Sequence, residues 1–88
     1  MPKYNSATNL LFFTNPQKIF KFFLEHKNEE FFDRDVAVKT RLSYSGTNFA
    51  LRDLAKVGLL TRTEKGKLVY YKLNEKNRLV YSYLGMGL

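Results

Sequence analysis

The 88-residue chain contains no cysteine and no tryptophan. Without thiols it has no disulfide framework, no cysteine-ligated zinc or iron–sulfur centre and no thiol nucleophile. Histidine is almost absent: His26 stands alone, whereas a general base needs a positioning partner and a metal site needs several ligands. The five glycines are scattered and form no phosphate-binding loop. The carboxylate pairs Glu29-Glu30 and Asp33/Asp35 read as loop and helix-start residues. The longest apolar run, Leu10-Leu11-Phe12-Phe13, is far below the roughly 20 residues of a spanning helix, and too short for a signal-peptide apolar region. These absences argue against an enzyme and against a membrane partner, and they call for no metal and no cofactor. The expectation is a soluble, cytoplasmic protein.

Acidic residues are scarce as well. Eight Asp and Glu face fifteen Lys and Arg, a net charge of +7. The imbalance is uneven along the chain. Residues 1–42 hold seven basic and five acidic residues, and residues 43–88 hold eight and three. A basic half points to a polyanionic partner, nucleic acid first; the plainer reading is a solvated surface. Hydrophobic residues make up 44% of the chain and aromatics 16%, from eight Phe and six Tyr. That bulk is enough to offset chain entropy in one small domain over residues 1–88, with polar residues 1–9 expected to be flexible.

Apolar periodicity divides the chain. Asn15-Pro16 reads as a cap and first helical residue, followed by Ile19, Phe20, Phe23 and Leu24 at helical spacing, a helix from Pro16 to about His26. Phe22 lies off that stripe. Phe31-Phe32 reads as a short extended piece. Asp33 reads as the cap of a short helix, about Arg34 to Thr40, with Val36, Ala37 and Thr40 on one face. Leu42 plugs the following turn. Ser43 caps a third helix from Tyr44 to about Val57, whose buried stripe is Thr47, Ala50, Leu51 and Leu54, and Gly58 ends it. Leu59–Thr63 and Leu68–Leu73, joined across Glu64-Lys65-Gly66-Lys67, read as a hairpin. Asn74 reads as the cap of a last helix, about Glu75 to Leu84, stopped by Gly85.

Two short helices joined by a tight turn make a helix-turn-helix, and a hairpin directly after it is a wing. The fold class is therefore mainly α with a β-hairpin wing, in the order helix-helix-turn-helix-hairpin-helix. From Asn15 to Leu73 the sequence resembles the winged helix-turn-helix transcriptional regulators of the small ArsR-like and MarR-like prokaryotic and archaeal type. The residues that carry the resemblance are Asn15-Pro16, the segment Leu42 to Thr47, Ala50 to Leu54 with Gly58-Leu59-Leu60, and Gly66 to Leu73. The chain departs from the family at Arg41, where the turn usually has Gly, and at Thr47, where the core usually has Val or Ile. The Cys and His pairs of metal-sensing members are missing.

On a helical wheel with the third helix's stripe inward, Ser45, Asn48, Phe49, Arg52 and Lys56 face out, and Tyr44 sits at the N-terminal edge. This recognition helix, 44–57, is expected in the major groove, since Asn pairs with adenine and Arg with guanine. Phe49 suits a thymine methyl, or equally a protein or intramolecular contact. Arg62, Lys65 and Lys67 on the wing, 62–68, are placed to meet the phosphate backbone or an adjacent minor groove, the two lysines suiting phosphate better, and Lys39 and Arg41 at the end of the second helix are placed to meet phosphate. The plainer reading of each is a solvated charge. The N-terminus of the third helix also offers backbone N–H groups to a phosphate. Apolar residues at both ends, Leu11, Phe12, Phe22, Leu79, Val80, Tyr83 and Leu84, exceed what a three-helix core covers. The resemblance implies that these ends, with 74–88 as one element, pair in a homodimer; the plainer reading is that both ends fold over their own core. The function so implied is sequence-specific double-stranded DNA binding as a transcriptional regulator. The rival readings are a winged-helix protein-interaction module with little DNA affinity, favoured by Phe49, and, more distantly, binding of single-stranded RNA by stacking.

Overall fold

The computed structural model describes residues 14–85. Its elements are α1 (Asn15–Glu25), β1 (Phe31–Phe32), α2 (Asp33–Thr40), α3 (Tyr44–Lys56), β2 (Leu60–Lys65), β3 (Leu68–Leu73) and α4 (Arg78–Gly85). The three strands form one antiparallel sheet in the order β1-β3-β2. The extended Phe31-Phe32 piece thus joins the hairpin as a third strand, with Phe31 opposite Tyr71 and Phe32 opposite Tyr70.

The element order matches the sequence reading, but three helix starts differ from it. Thr14, not Asn15, caps α1. Its hydroxyl accepts the Gln17 backbone N–H, and the Gln17 side chain accepts the Thr14 N–H, a reciprocal capping box. Pro16 sits in the first turn, where its missing N–H costs nothing. Asp33 does not cap α2: it is the first residue of the helix, and Phe32 occupies the cap without a side-chain bond. The last helix starts later than expected, because Asn77 takes the capping role. Its Oδ1 accepts the Leu79 and Val80 N–H groups, while Asn74 closes a turn ahead of it by accepting from Lys76.

The core is built where the helical stripes meet the sheet. Ile19, Phe23, Val36, Leu51 and Val80 are sealed from solvent, joined by Phe22, Leu24, Phe31, Ala50, Leu54, Leu60, Tyr71 and Leu73. Phe22 packs 4.9 Å from Phe31 and 5.4 Å from Phe23, ring centre to ring centre. Phe22 and Val80, expected at a dimer interface, are therefore interior groups of the chain itself. Their bulk is absorbed by the strand pair and the last helix, which the three-helix estimate omitted. Leu84 is half-buried against the same core. Leu11 and Phe12, the polar segment 1–9 and the Tyr83 side chain lie outside the described residues.

Two backbone positions shape the helix-turn-helix. Arg41 takes the left-handed conformation at φ 60° and ψ 36°, and its N–H reaches back to Ala37 and Val38 carbonyls. Arginine thus occupies a position whose left-handed backbone favours Gly. At Gly46 a Cβ would stand 2.6 Å from Asn15 Nδ2, so the bare backbone lets the starts of α1 and α3 approach closely.

Thr47 is completely buried in α3, and among the described residues its hydroxyl has no hydrogen-bond partner. A buried hydroxyl without a partner costs about 1–3 kcal/mol. Thr47→Val keeps the shape and removes that cost. It is expected to raise stability by about 1–2 kcal/mol, seen in thermal unfolding as a rise of about 4–16 °C. An unchanged midpoint would mean that the hydroxyl is satisfied in solution.

Candidate nucleic-acid interface

Ser43 fixes the start of α3: its Oγ accepts the Gly46 N–H at 3.1 Å. With Thr47, Ala50, Leu51 and Leu54 turned into the core, the opposite side of the helix faces outward. Tyr44, Ser45, Asn48, Phe49 and Arg52 line one shallow hollow along that side. All five come from the set nominated by the helical wheel. Phe49 is 71% exposed, a large apolar ring held out in water. Asn48 is half-buried and bonded to Asp33.

One carboxylate gathers three donors there. Asp33 Oδ1 accepts the Arg34 backbone N–H at 2.8 Å, and Oδ2 accepts the Tyr44 hydroxyl at 2.8 Å and Asn48 Nδ2 at 3.0 Å. The first residue of α2 is thereby tied to the first and second turns of α3. The hydrogen bond to Asp33 raises the Tyr44 pKa above its ordinary value, with desolvation and the Asp33 charge adding to it. The phenol stays a neutral donor across the physiological range. The Arg34 guanidinium lies 5.9 Å from the centre of the Tyr44 ring. Asp33 and Arg34 are the residues that sequence reasoning missed. Their signal was faint: Tyr44 and Asn48 stand four apart on one helical face, where a single acceptor serves both.

A second hollow opens between the end of α3 and β2, lined by Arg52, Ala55, Lys56 and Arg62. Three cations of the nominated set thus border one recess. Arg62 stands opposite Tyr71 in the sheet and bonds Glu64 at 3.0 Å. Hydrogen bonding with Tyr71 first, and with Glu64 second, holds its pKa above the ordinary value.

The wing tip separates two lysines that the sequence treated alike. Lys65 bonds Glu30 at 2.6 Å and lies 4.9 Å from the Tyr70 ring centre. Its pKa is raised, chiefly by the bond to Glu30. Lys67 is exposed beyond Gly66, which turns the hairpin at φ 64°. Lys39 and Arg41 are exposed at the end of α2, and neither lines the two α3 hollows. His26 is a packing residue, its Nδ1 2.8 Å from the Phe22 carbonyl and its ring against Phe22 and Phe31. Among the described residues no three His, Asp or Glu side chains are grouped as metal ligands, and no helix is long and apolar enough to cross a membrane.

No protein-family model matches the chain, and no curated protein does. Solved structures do match. The regulator HlyU from Vibrio vulnificus superposes with a TM-score of 0.65 at 22% identity, over 94% of this chain and 86% of its own. A homodimeric winged helix-turn-helix DNA-binding domain of a possible ArsR-family regulator from Mycobacterium bovis gives 0.65 at 15% identity, over 99% and 88%. The fold is the winged helix-turn-helix. The ferric uptake regulator of Francisella tularensis shares it, with a TM-score of 0.67 at 20% identity over 73% of this chain. The chain spans about half the length of that regulator, 53%. In winged-helix terms α2 and α3 are the helix-turn-helix, and β2 and β3 are the wing.

Proposed function

We propose that this chain binds double-stranded DNA as a cytoplasmic transcriptional regulator, with α3 in the major groove and the wing against the backbone. The observation that carries the reading is the outer face of α3. Its hydrogen-bonding and apolar groups, Asn48, Phe49 and Arg52, run directly into the recess of Arg52, Lys56 and Arg62. Base-reading groups next to phosphate-binding groups on one exposed helix are what groove recognition requires. The fold shared with known DNA-binding regulators supports it. The +7 net charge supplies the long-range attraction.

The proposed assembly is a twofold dimer through α4, where Leu79 and Tyr81 remain exposed at 52% and 72%. The homodimeric state of the Mycobacterium bovis domain supports this arrangement. Such a dimer sets two α3 helices about one DNA turn apart, roughly 34 Å. Light scattering should then give twice the 10.4 kDa of one chain.

Fluorescence anisotropy of a labelled duplex, titrated at several salt concentrations, tests the function. Affinity that falls linearly in log–log with salt supports phosphate contact. No binding even at low salt would hand the exposed Phe49 face to a protein partner. The wing carries its own expectation. Lys67→Ala should take about 0.9 off the salt slope, the loss of one phosphate contact. Lys65→Ala should take clearly less, because Glu30 already neutralises that ammonium. Equal effects would show that the Glu30 bond opens on DNA.

A further inference from the structure

We propose that Asp33 sets the polarity with which Asn48 meets a base pair, making it a specificity-determining residue that touches no base itself. The inference rests on the DNA reading above and assigns the direction of one contact within it. An Asn side chain presents a donor and an acceptor side by side, and which comes first follows from its partners. A carboxylate only accepts, so Asp33 Oδ2 admits Nδ2 of Asn48 and excludes Oδ1. One N–H is consumed there. The second N–H and the Oδ1 atom remain, and that pair is what reads adenine N7 and N6. The same oxygen holds the Tyr44 hydroxyl, so the carboxylate cannot turn away from α3 without releasing both. Its other oxygen is held by the Arg34 backbone N–H.

That last bond makes Asp33→Asn informative. The Arg34 N–H requires an acceptor, so the new side chain turns its oxygen to Arg34 and its NH2 group to α3. Asn48 then satisfies that NH2 by presenting Oδ1 inward and Nδ2 outward. The donor and acceptor exchange places at the base edge. The substitution changes two hydrogen bonds in direction and leaves their number intact.

The experiment selects preferred sites from randomised duplexes with the unaltered chain, Asp33→Asn, Asn48→Ala and the double variant, then measures affinity for each base at the selected positions. Thermal unfolding confirms that each variant is folded, and Asp33→Ala, which frees the amide, serves as a second probe. Asp33→Asn is expected to lower discrimination by about tenfold at the one base pair that Asn48→Ala also affects, with the other positions unchanged. In the Asn48→Ala background it should change no base preference, because the residue it acts through is gone. Removal of a negative charge should also raise affinity for all sequences alike, which discrimination ratios cancel. Unchanged discrimination in Asp33→Asn and Asp33→Ala, or an equal loss with Asn48 already replaced, would overturn the proposal. Absence of duplex binding by the unaltered chain would instead overturn the DNA reading beneath it.

Discussion

Replacing Arg52, Lys56 and Arg62 together by Ala should lower duplex affinity at about 0.1 M salt by two to three orders of magnitude. Each phosphate contact contributes roughly 0.9 to the slope of log affinity against log salt, and about the same in log affinity at that concentration. Three full contacts would amount to about 2.7 logarithmic units, and the Glu64 partner of Arg62 takes part of one away. The three side chains share one recess, so they are expected to act on neighbouring phosphates and to fail together. Apart from the one base that Arg52 meets, the loss should be the same for every sequence, because the backbone carries no base information. None of the three contributes an apolar side chain to the core, so circular dichroism should show an unchanged fold. An unchanged salt slope would mean that the recess is empty of phosphate.

Phe23→Ala should bring the chain close to unfolding. Phe23 is the largest fully buried side chain, with its ring edge-on to Phe22 and to Phe31 at 5.4 and 5.7 Å. Truncating a buried Phe costs about 3–5 kcal/mol, from lost transfer energy and the cavity left behind. A chain of 88 residues has only about 4–13 kcal/mol in total. Urea unfolding followed by circular dichroism should show the midpoint falling by about 2–5 M, for a slope near 1–1.5 kcal/mol per molar. A loss below about 1 kcal/mol would show that the core collapses onto the site and that α1 is not its keystone.

The fold was legible because its determinants are local. The stripe Thr47, Ala50, Leu51 and Leu54 specifies which way α3 faces, and Ser43 and Gly58 mark its ends. The outer face followed by subtraction. Helix starts were harder, since Thr14, Asn15, Asn74 and Asn77 all have capping chemistry and only the surrounding packing selects among them. The long-range ties were barely legible. Asp33 meets Tyr44 and Asn48 eleven and fifteen residues away, and Glu30 meets Lys65 thirty-five residues away. No periodicity records such pairs. The apolar surplus misled at Phe22 and Val80, because burial by β1 and α4 depends on the completed sheet and not on the helices counted singly.

The hairpin divides its labour along its length. Leu60, Tyr71 and Leu73 anchor its base in the interior, while every residue from 61 to 68 is exposed and a Cβ at Gly66 would meet nothing within 4 Å. Apart from the Lys65–Glu30 bond and the left-handed turn at Gly66, the side chains of this stretch are therefore only loosely coupled to the free energy of folding. A lineage carrying this protein has at the tip a stretch it can lengthen, shorten or recharge without risking the molecule. On the DNA reading proposed above, changes there tune the grip on the backbone while the fold persists.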